Sequence, residues 1–271
     1  MTDDGFRFVH LTDTHIMAGG TWRIRGGDVE FDTDASLRRV VEVVRALDPA
    51  PAFAVLGGDL ASPDILHRER TLTAAEYAPS YARLKEILAG LPCRAHYMMG
   101  NHDYLEALNR ALRPEAPVDA PCYYGFDHDG THLVALDSHE VGHADGVLDA
   151  AQLAWLERDL SAHRDRPTIV FVHHHPWPLG HAWMDTMPLR NGAELMDILA
   201  RHAHVSWLIG GHVHSEQVIQ RGALTMLTTP STCIQLSKTT ASDAHFDPGP
   251  PGFRVVDVEH GRLSSFVVHV R

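Results

Sequence analysis

Short apolar runs alternate along this chain with segments of helical periodicity, beginning F-R-F-V-H-L, S-L-R-R-V-V-E-V-V-R-A-L, F-A-V-L-G. The order continues through S-Y-A-R-L-K-E-I-L, R-A-H-Y-M-M-G, H-L-V-A-L-D, Q-L-A-W-L-E-R-D-L, T-I-V-F-V-H, A-E-L-M-D-I-L-A-R and V-S-W-L-I-G-G. Strand, helix and strand in that succession predict an α/β layered fold. After it, A-L-T-M-L-T-T, F-R-V-V-D-V-E and L-S-S-F-V-V-H-V read as strands of a second, largely antiparallel sheet, with H-G as a hairpin turn between the last two. No repeat or linker interrupts the first part of the chain, and 271 residues are enough for an extensive core, so a single domain over 1–271 is expected. The polar, Pro/Gly-rich stretch near 237–252 is expected to be a flexible surface loop.

Strand ends in α/β sheets open onto the crevice where ligands bind. Five of them here end in residues suited to metals: Asp13 and His15 in L-T-D-T-H, Asp59 in G-G-D-L, Asn101 to Asp103 in G-N-H-D, His173 to His175 in V-H-H-H-P, and His212 and His214 in G-G-H-V-H. One Asp or His after a strand is ordinarily a cap or a turn residue. Five such ends together make the mixture of imidazole and carboxylate that Zn, Fe and Mn sites use. D-x-H and H-x-H put two side chains on one face of an extended segment, so each pair reaches one site. Asp59, alone after two glycines, is the natural carboxylate to bridge two cations. Asn101 offers an amide oxygen, and the adjacent His102 is left free for substrate. Among the three consecutive histidines, strand alternation sends His173 and His175 one way and His174 the other.

The ordered set D-x-H, G-D, G-N-H-D, H-x-P and G-H-x-H, running from residue 8 to 215, resembles the calcineurin-like metallophosphoesterase superfamily. Within it, P-W-P-L-G-H-A-W-M-D, L-R-N-G at 189–192, P-S-T-C-I-Q at 230–235 and P-G-F-R at 251–254 are similar to class III cyclic nucleotide phosphodiesterases and their glycerophosphodiesterase relatives. The resemblance implies a layered α/β/β/α sandwich of two mixed sheets with a dinuclear metal site at the strand ends. It implies one metal held by Asp13, His15, Asp59 and His214, and a second by Asp59, Asn101, His174 and His212. His174 is chosen because the ligand histidine of the superfamily lies two places before the proline. His102 is then the catalytic group that stabilises the transition state or protonates the leaving alkoxide, oriented by Asp103.

The function that the resemblance implies is that of a metal-dependent phosphoric diester hydrolase. It would act on small phosphodiesters, with 3′,5′-cyclic nucleotides the first substrate to try, by attack of metal-bound hydroxide. The alternatives are a glycerophosphodiesterase, a broader phosphodiesterase or phosphomonoesterase, and a non-enzymatic metal-binding scaffold of the same fold. The cofactors are two divalent or mixed-valence ions drawn from Fe, Mn, Zn and Co. A formal charge of -12 with no basic stripe argues against a nucleic acid polymer as partner. Three cysteines without C-x-x-C, no basic-then-apolar leader and no long apolar run point to a cytoplasmic protein without a membrane span. Homo-oligomers are common among the relatives implied. The stretch near 61–80 is expected to form a lid or insert, and His67, His181, Trp183, Asp185 and Arg190 are candidates to line the substrate pocket.

Overall fold

The computed structural model describes residues 5–23, 30–237, 246–247 and 249–271. Two mixed sheets lie face to face. The first has the strand order Arg262–His269, Gly252–Glu259, Gly5–Leu11, Phe53–Leu56, Arg94–Tyr97. The second has the order Gln217–Arg221, Leu224–Thr228, Val205–Gly210, Thr168–Phe171, Thr131–Ala135, Tyr124–His128.

Alternation along Gly5–Leu11 explains how one strand serves two layers. Phe6 and Phe8 point between the sheets, where they meet Phe53, Phe171, Ile209 and Val256. Val9 and Leu11 point outward into a core shared with helices Thr33–Arg45, Ala74–Leu88 and Leu105–Leu112. The outer face of the second sheet is covered by Ala150–Ala162 and Gly192–Ala200, through Leu156, Leu160, Leu195 and Leu199. The expected α/β/β/α sandwich is therefore the fold. Helix starts follow the local sequence: Asp32 and Asp149 accept from the backbone N–H groups of Ala35 and Gln152, and Thr73 with Glu76 forms a capping box.

The C-terminal strands are placed differently from the sequence expectation. They do not make a separate antiparallel sheet. Leu224–Thr228 joins the second sheet, parallel to Val205–Gly210, whereas Gly252–Glu259 pairs antiparallel with Gly5–Leu11 and extends the first. The reason is that Phe253 and Val255 face the helix-covered core while Val256 and Val258 face the inter-sheet core, so this segment needs cover on both sides. The H-G turn is the expected one: His260 and Gly261 have φ of 50° and 72° between paired Glu259 and Arg262, the conformation of a two-residue hairpin. Arg254, buried on the first sheet, donates through Nη2 to the Thr228 carbonyl of the second at 2.9 Å and so ties the two together.

The stretch near 61–80 becomes a 3₁₀ turn, Pro63–Leu66, followed by the start of helix Ala74–Leu88. Of the expected loop near 237–252, residues 238–245 and 248 lie outside the described residues, and Phe246–Asp247 pairs with Gln235–Leu236. Among the described residues, no helix is long and apolar enough to cross a membrane.

Far from the strand ends that carry the candidate ligands, buried His132 lies between two carboxylates, with Nδ1 2.7 Å from Asp127 and Nε2 2.8 Å from Asp159. Burial alone would lower its pKa, but the bonds to Asp159 and Asp127 outweigh it and raise the value. A raised folded-state pKa gives stability that is complete below the ordinary histidine value and is lost as pH rises through the folded value. His132→Gln should therefore lower the melting temperature more at pH 6 than at pH 9, as read by thermal unfolding at both.

Candidate active site

The turns that follow the parallel strands carry the polar residues, and their backbone is unusual. Asp13, His15, Asp59, His212 and His214 all have positive φ, between 44° and 68°. Non-glycine residues adopt this region rarely, and such strain collects where side chains must be aimed. Glycines provide the clearance. A Cβ on Gly100 would lie 2.3 Å from Asp59 Oδ1, and one on Gly211 would lie 2.1 Å from Thr12 Oγ1.

Asp13 and Asp59 are buried side by side. Asp13 Oδ2 accepts from the Thr12 hydroxyl at 2.7 Å and the His212 amide at 3.1 Å, while its Oδ1 has no hydrogen-bond partner. Asp59 Oδ1 accepts from the His102 amide at 2.8 Å, and its Oδ2 stands 3.8 Å from His15 Nε2 and 3.5 Å from His173 Nε2. Asp59 thus lies between two imidazoles, as a bridging carboxylate requires. On the first side, His15 Nε2 and His214 Nε2 face each other at 3.0 Å, with Asp13 Oδ1 3.2 Å from the latter. His214 Nδ1 donates to the Ile234 carbonyl at 2.7 Å, which leaves the Nε2 lone pair pointing into the site.

The second side uses the same device twice. His173 Nδ1 donates to the Gly57 carbonyl at 2.7 Å and His212 Nε2 to the Met187 carbonyl at 3.0 Å. That frees His173 Nε2 and His212 Nδ1 as lone-pair donors. His173 Nε2 and Asn101 Oδ1 are buried without a hydrogen-bond partner.

His174 shares one group with His173 and His212, their ligand atoms all within 4.8 Å of one another, but its own hydrogen bonds lead elsewhere. It lies near His173 and His212, with ring centroids 5.0 and 4.5 Å away, but its Nδ1 is 2.7 Å from the Ser138 hydroxyl and its Nε2 3.3 Å from the Ala144 carbonyl. Both nitrogens are engaged away from the carboxylates. The strand ends at Phe171 and the chain bends at 173–174, so alternation no longer decides which ring faces the site. His175 is also buried, with neither nitrogen hydrogen-bonded.

The cluster has the charge pattern of a cation site. Opposed by burial but favoured by the surrounding imidazoles, Asp59 is held well below the usual carboxylate range and Asp13 is lowered too. Burial pushes His15 down to about 3 and holds His174 and His212 well below the ordinary value. His173 goes the other way: burial lowers it, yet Asp59 and Asp13 lift it to about 9, so this position attracts a positive charge. Ionised carboxylates, the neutral imidazoles of His15 and His212, an unpaired amide oxygen and a His173 that would exchange its proton for a metal together fit divalent metal ions.

His102 lines the cleft beside these groups, and its Nδ1 is 2.7 Å from Asp64 Oδ2. Burial lowers its pKa, but Asp59 and the bond to Asp64 raise it to about 9. Asp103 does not orient it. That carboxylate accepts from the amides of Leu60, Ala61 and Gly100 and from the Tyr81 hydroxyl, and burial with the nearby Asp59 charge raises it to about 7. It fixes the turns that carry Asp59 and Asn101. The sequence signal for Asp64 was Pro63 at the first position of a helical turn, which starts a fold-back just after Asp59. The carbonyls that orient His173, His212 and His214 have no side-chain signature.

The cleft above has a volume of about 1800 Å³. Of the five pocket candidates, Trp183 lines it. His181 accepts from the Met184 amide, Asp185 caps the Leu179 and Gly180 amides, Arg190 pairs with Glu140 and Asp145, and His67 lies by Glu69.

A two-sheet sandwich whose strand ends gather two buried carboxylates, an amide and a ring of imidazoles defines a metallophosphoesterase, and residues 6–216 match the family model described as calcineurin-like phosphoesterase. The chain belongs to that family, whose members are phosphoric ester hydrolases. It is 33% identical to the 3′,5′-cyclic adenosine monophosphate phosphodiesterase CpdA of Pseudomonas aeruginosa, over 99% of this chain and 92% of that protein. The CpdA of Escherichia coli K12 is 31% identical over 97% of this chain and 89% of its own length. The glycerophosphodiester phosphodiesterase GpdQ of Enterobacter lignolyticus is 30% identical over 89% and 83%. A dimetal phosphatase from Danio rerio shares the fold, with a TM-score of 0.69 at 14% identity over 98% of this chain and 99% of its own.

Proposed function

We propose that this chain is a two-metal phosphodiesterase that hydrolyses small phosphodiesters, with 3′,5′-cyclic nucleotides as its substrate class. The observation that carries the reading is that Asp59 belongs to two groups able to hold a cation, one with His15 and His102 and one with Asp13 and His173, while His102 is also held by Asp64. Similarity to two cyclic adenosine monophosphate phosphodiesterases over nearly the whole chain supports the cyclic substrate. Similarity to a glycerophosphodiesterase makes open glycerol diesters the second reading.

Asp13, His15, Asp59 and His214 would hold the first ion, and Asp59, Asn101, His173 and His212 the second. His173 takes the place that the proline spacing gave to His174, because its Nε2 lies 3.5 Å from Asp59 and would exchange its proton for a metal, whereas both nitrogens of His174 are engaged elsewhere. Fe, Mn, Zn and Co all suit this donor set. When bound, such a pair supplies Lewis-acid charge for the phosphoryl oxygens and a water acidified toward neutral pH. The residues of the chain do the rest. With Nδ1 held by Asp64, His102 keeps Nε2 for the substrate, where a protonated ring donates to the oxygen of the departing alkoxide. Asp103 and Tyr81 hold the turn beneath it.

The deciding experiment restores each of the four metals to apo-protein and assays cyclic AMP, a glycerophosphodiester and a phosphomonoester. Turnover confined to the monoester would overturn the diesterase reading, and equal turnover of cyclic and open diesters would remove the cyclic assignment.

His173→Ala should lower the bound metal per chain, whereas His174→Ala should retain it; elemental analysis of the two purified variants compares them directly. The reverse result would restore His174 as the ligand.

His102→Ala should keep its metals and slow cyclic AMP turnover by roughly 10²- to 10⁴-fold. A nitrophenyl diester expels a stabilised phenolate and should lose far less. Equal loss on both substrates would mean that His102 binds the phosphoryl group and delivers no proton. Asp64→Asn should show the same dependence on leaving group in weaker form.

A further inference from the structure

We infer that a three-ring aromatic wall, Trp22–Phe246–Trp183, is the nucleobase subsite of this cleft, with Trp183 as its specificity-determining residue; the inference rests on the diesterase reading above. Trp22 meets His15, a proposed ligand of the first metal, edge to face with ring centroids 4.9 Å apart. Phe246 meets Trp22 at 5.4 Å and 68°, and Trp183 meets Phe246 at 6.3 Å and 75°. The three rings form a continuous rail that starts at the metal cluster and runs out along the cleft, and all three line it.

The rail is firmly seated. Trp22 packs with Met17, Cys233 and Ile234, and Phe246 joins that cluster to a second one made of Met184, Val213 and Leu236, on which Trp183 rests. Trp22 is buried and Trp183 is only partly so, which leaves the outer ring with surface for a ligand. The lining also has Tyr77, which is buried, and Tyr104 packed against it, and elsewhere charged or ionisable groups such as Asp64, Arg68, Arg70 and His139. A phosphodiester held at the two clusters must send its organic part somewhere in this cleft. A flat, weakly polar base gains stacking and apolar burial against the rail, while a neutral glycerol group has neither a π-face nor a charge to offer the rings. A purine, with the larger face, gains more than a pyrimidine.

The test compares cyclic AMP with glycerophosphoglycerol on the metal-loaded enzyme. Trp183→Ala should raise KM for cyclic AMP by about 5- to 100-fold with kcat nearly unchanged, leave KM for glycerophosphoglycerol where it was, and be rescued by Trp183→Phe. Phe246→Leu should give the same asymmetry, and it serves in place of Trp183→Ala if that variant fails to fold. Binding gives an independent readout. Calorimetric titration should show weaker binding of 5′-AMP to Trp183→Ala, with binding of glycerol 3-phosphate unchanged. An equal change for both diesters, or no change for either, overturns the base subsite while leaving the diesterase reading intact. A wild-type enzyme that hydrolyses neither diester overturns the diesterase reading, and the subsite with it.

Discussion

Asp13 and Asp59 place two ionised carboxylates together where water does not reach, and the rest of the site is arranged around that fact. A buried charge without a partner costs several kcal/mol. The groups that face these two are imidazoles: His15 and His173 approach Asp59, and His214 approaches Asp13. Arginine would neutralise the pair permanently, since it does not give up its proton in proteins. Histidine gives its proton up and offers a lone pair to a metal in its place. The lift of His173 to about 9 by Asp59 marks the same demand for positive charge that a divalent ion would meet.

The layer order and the strand-end motifs were legible because they arise from periodicity and from residue type. Phe6 and Phe8 alternate with Val9 and Leu11, and each parallel strand delivers its D-x-H, G-D, G-N-H-D or G-H-x-H to the same edge. Two things were not legible. The C-terminal strands carry hydrophobic residues on both faces, a pattern that says they are covered but not by which sheet. Three adjacent histidines differ only in their hydrogen-bond partners, Gly57 for His173 and Ser138 with Ala144 for His174, and those partners lie far off in the chain. Asp64 and Asp103 show the same limit. Nearness in sequence suggested that Asp103 orients His102, yet a turn brings Asp64 to the ring and sends Asp103 to the backbone.

Once engaged by Ser138 and Ala144, His174 gains a structural task. Gly146 packs so closely on its ring that a Cβ there would lie 2.4 Å from Nδ1. His174 therefore fastens the segment from Ser138 to Gly146 to the floor of the site, and that segment brings His139 and Val141 to the cleft. Consecutive residues thus make different contacts: His173 faces the carboxylates, and His174 bonds to Ser138 and Ala144.

The positive-φ turns explain why the arrangement is rigid enough to serve. The strained residues are kept in place by bonds between neighbouring turns: the Asp13 amide donates to Gly58 and the His15 amide to Asp59, both at 2.9 Å, the His214 carbonyl accepts from Leu236, and the His212 amide donates to the Asp13 carboxylate. Such strain costs of order 1–3 kcal/mol per residue and persists only where the surroundings over-determine it. The two sheets supply that surrounding. Because the parallel strands of both end at one edge, the turns interlock across the sandwich, as when the His212 amide, after a strand of the second sheet, donates to Asp13 Oδ2, after a strand of the first, at 3.1 Å. Ligands fixed by strained turns on rigid strands lose little freedom when ions bind, so the fold itself carries the cost of organising the site.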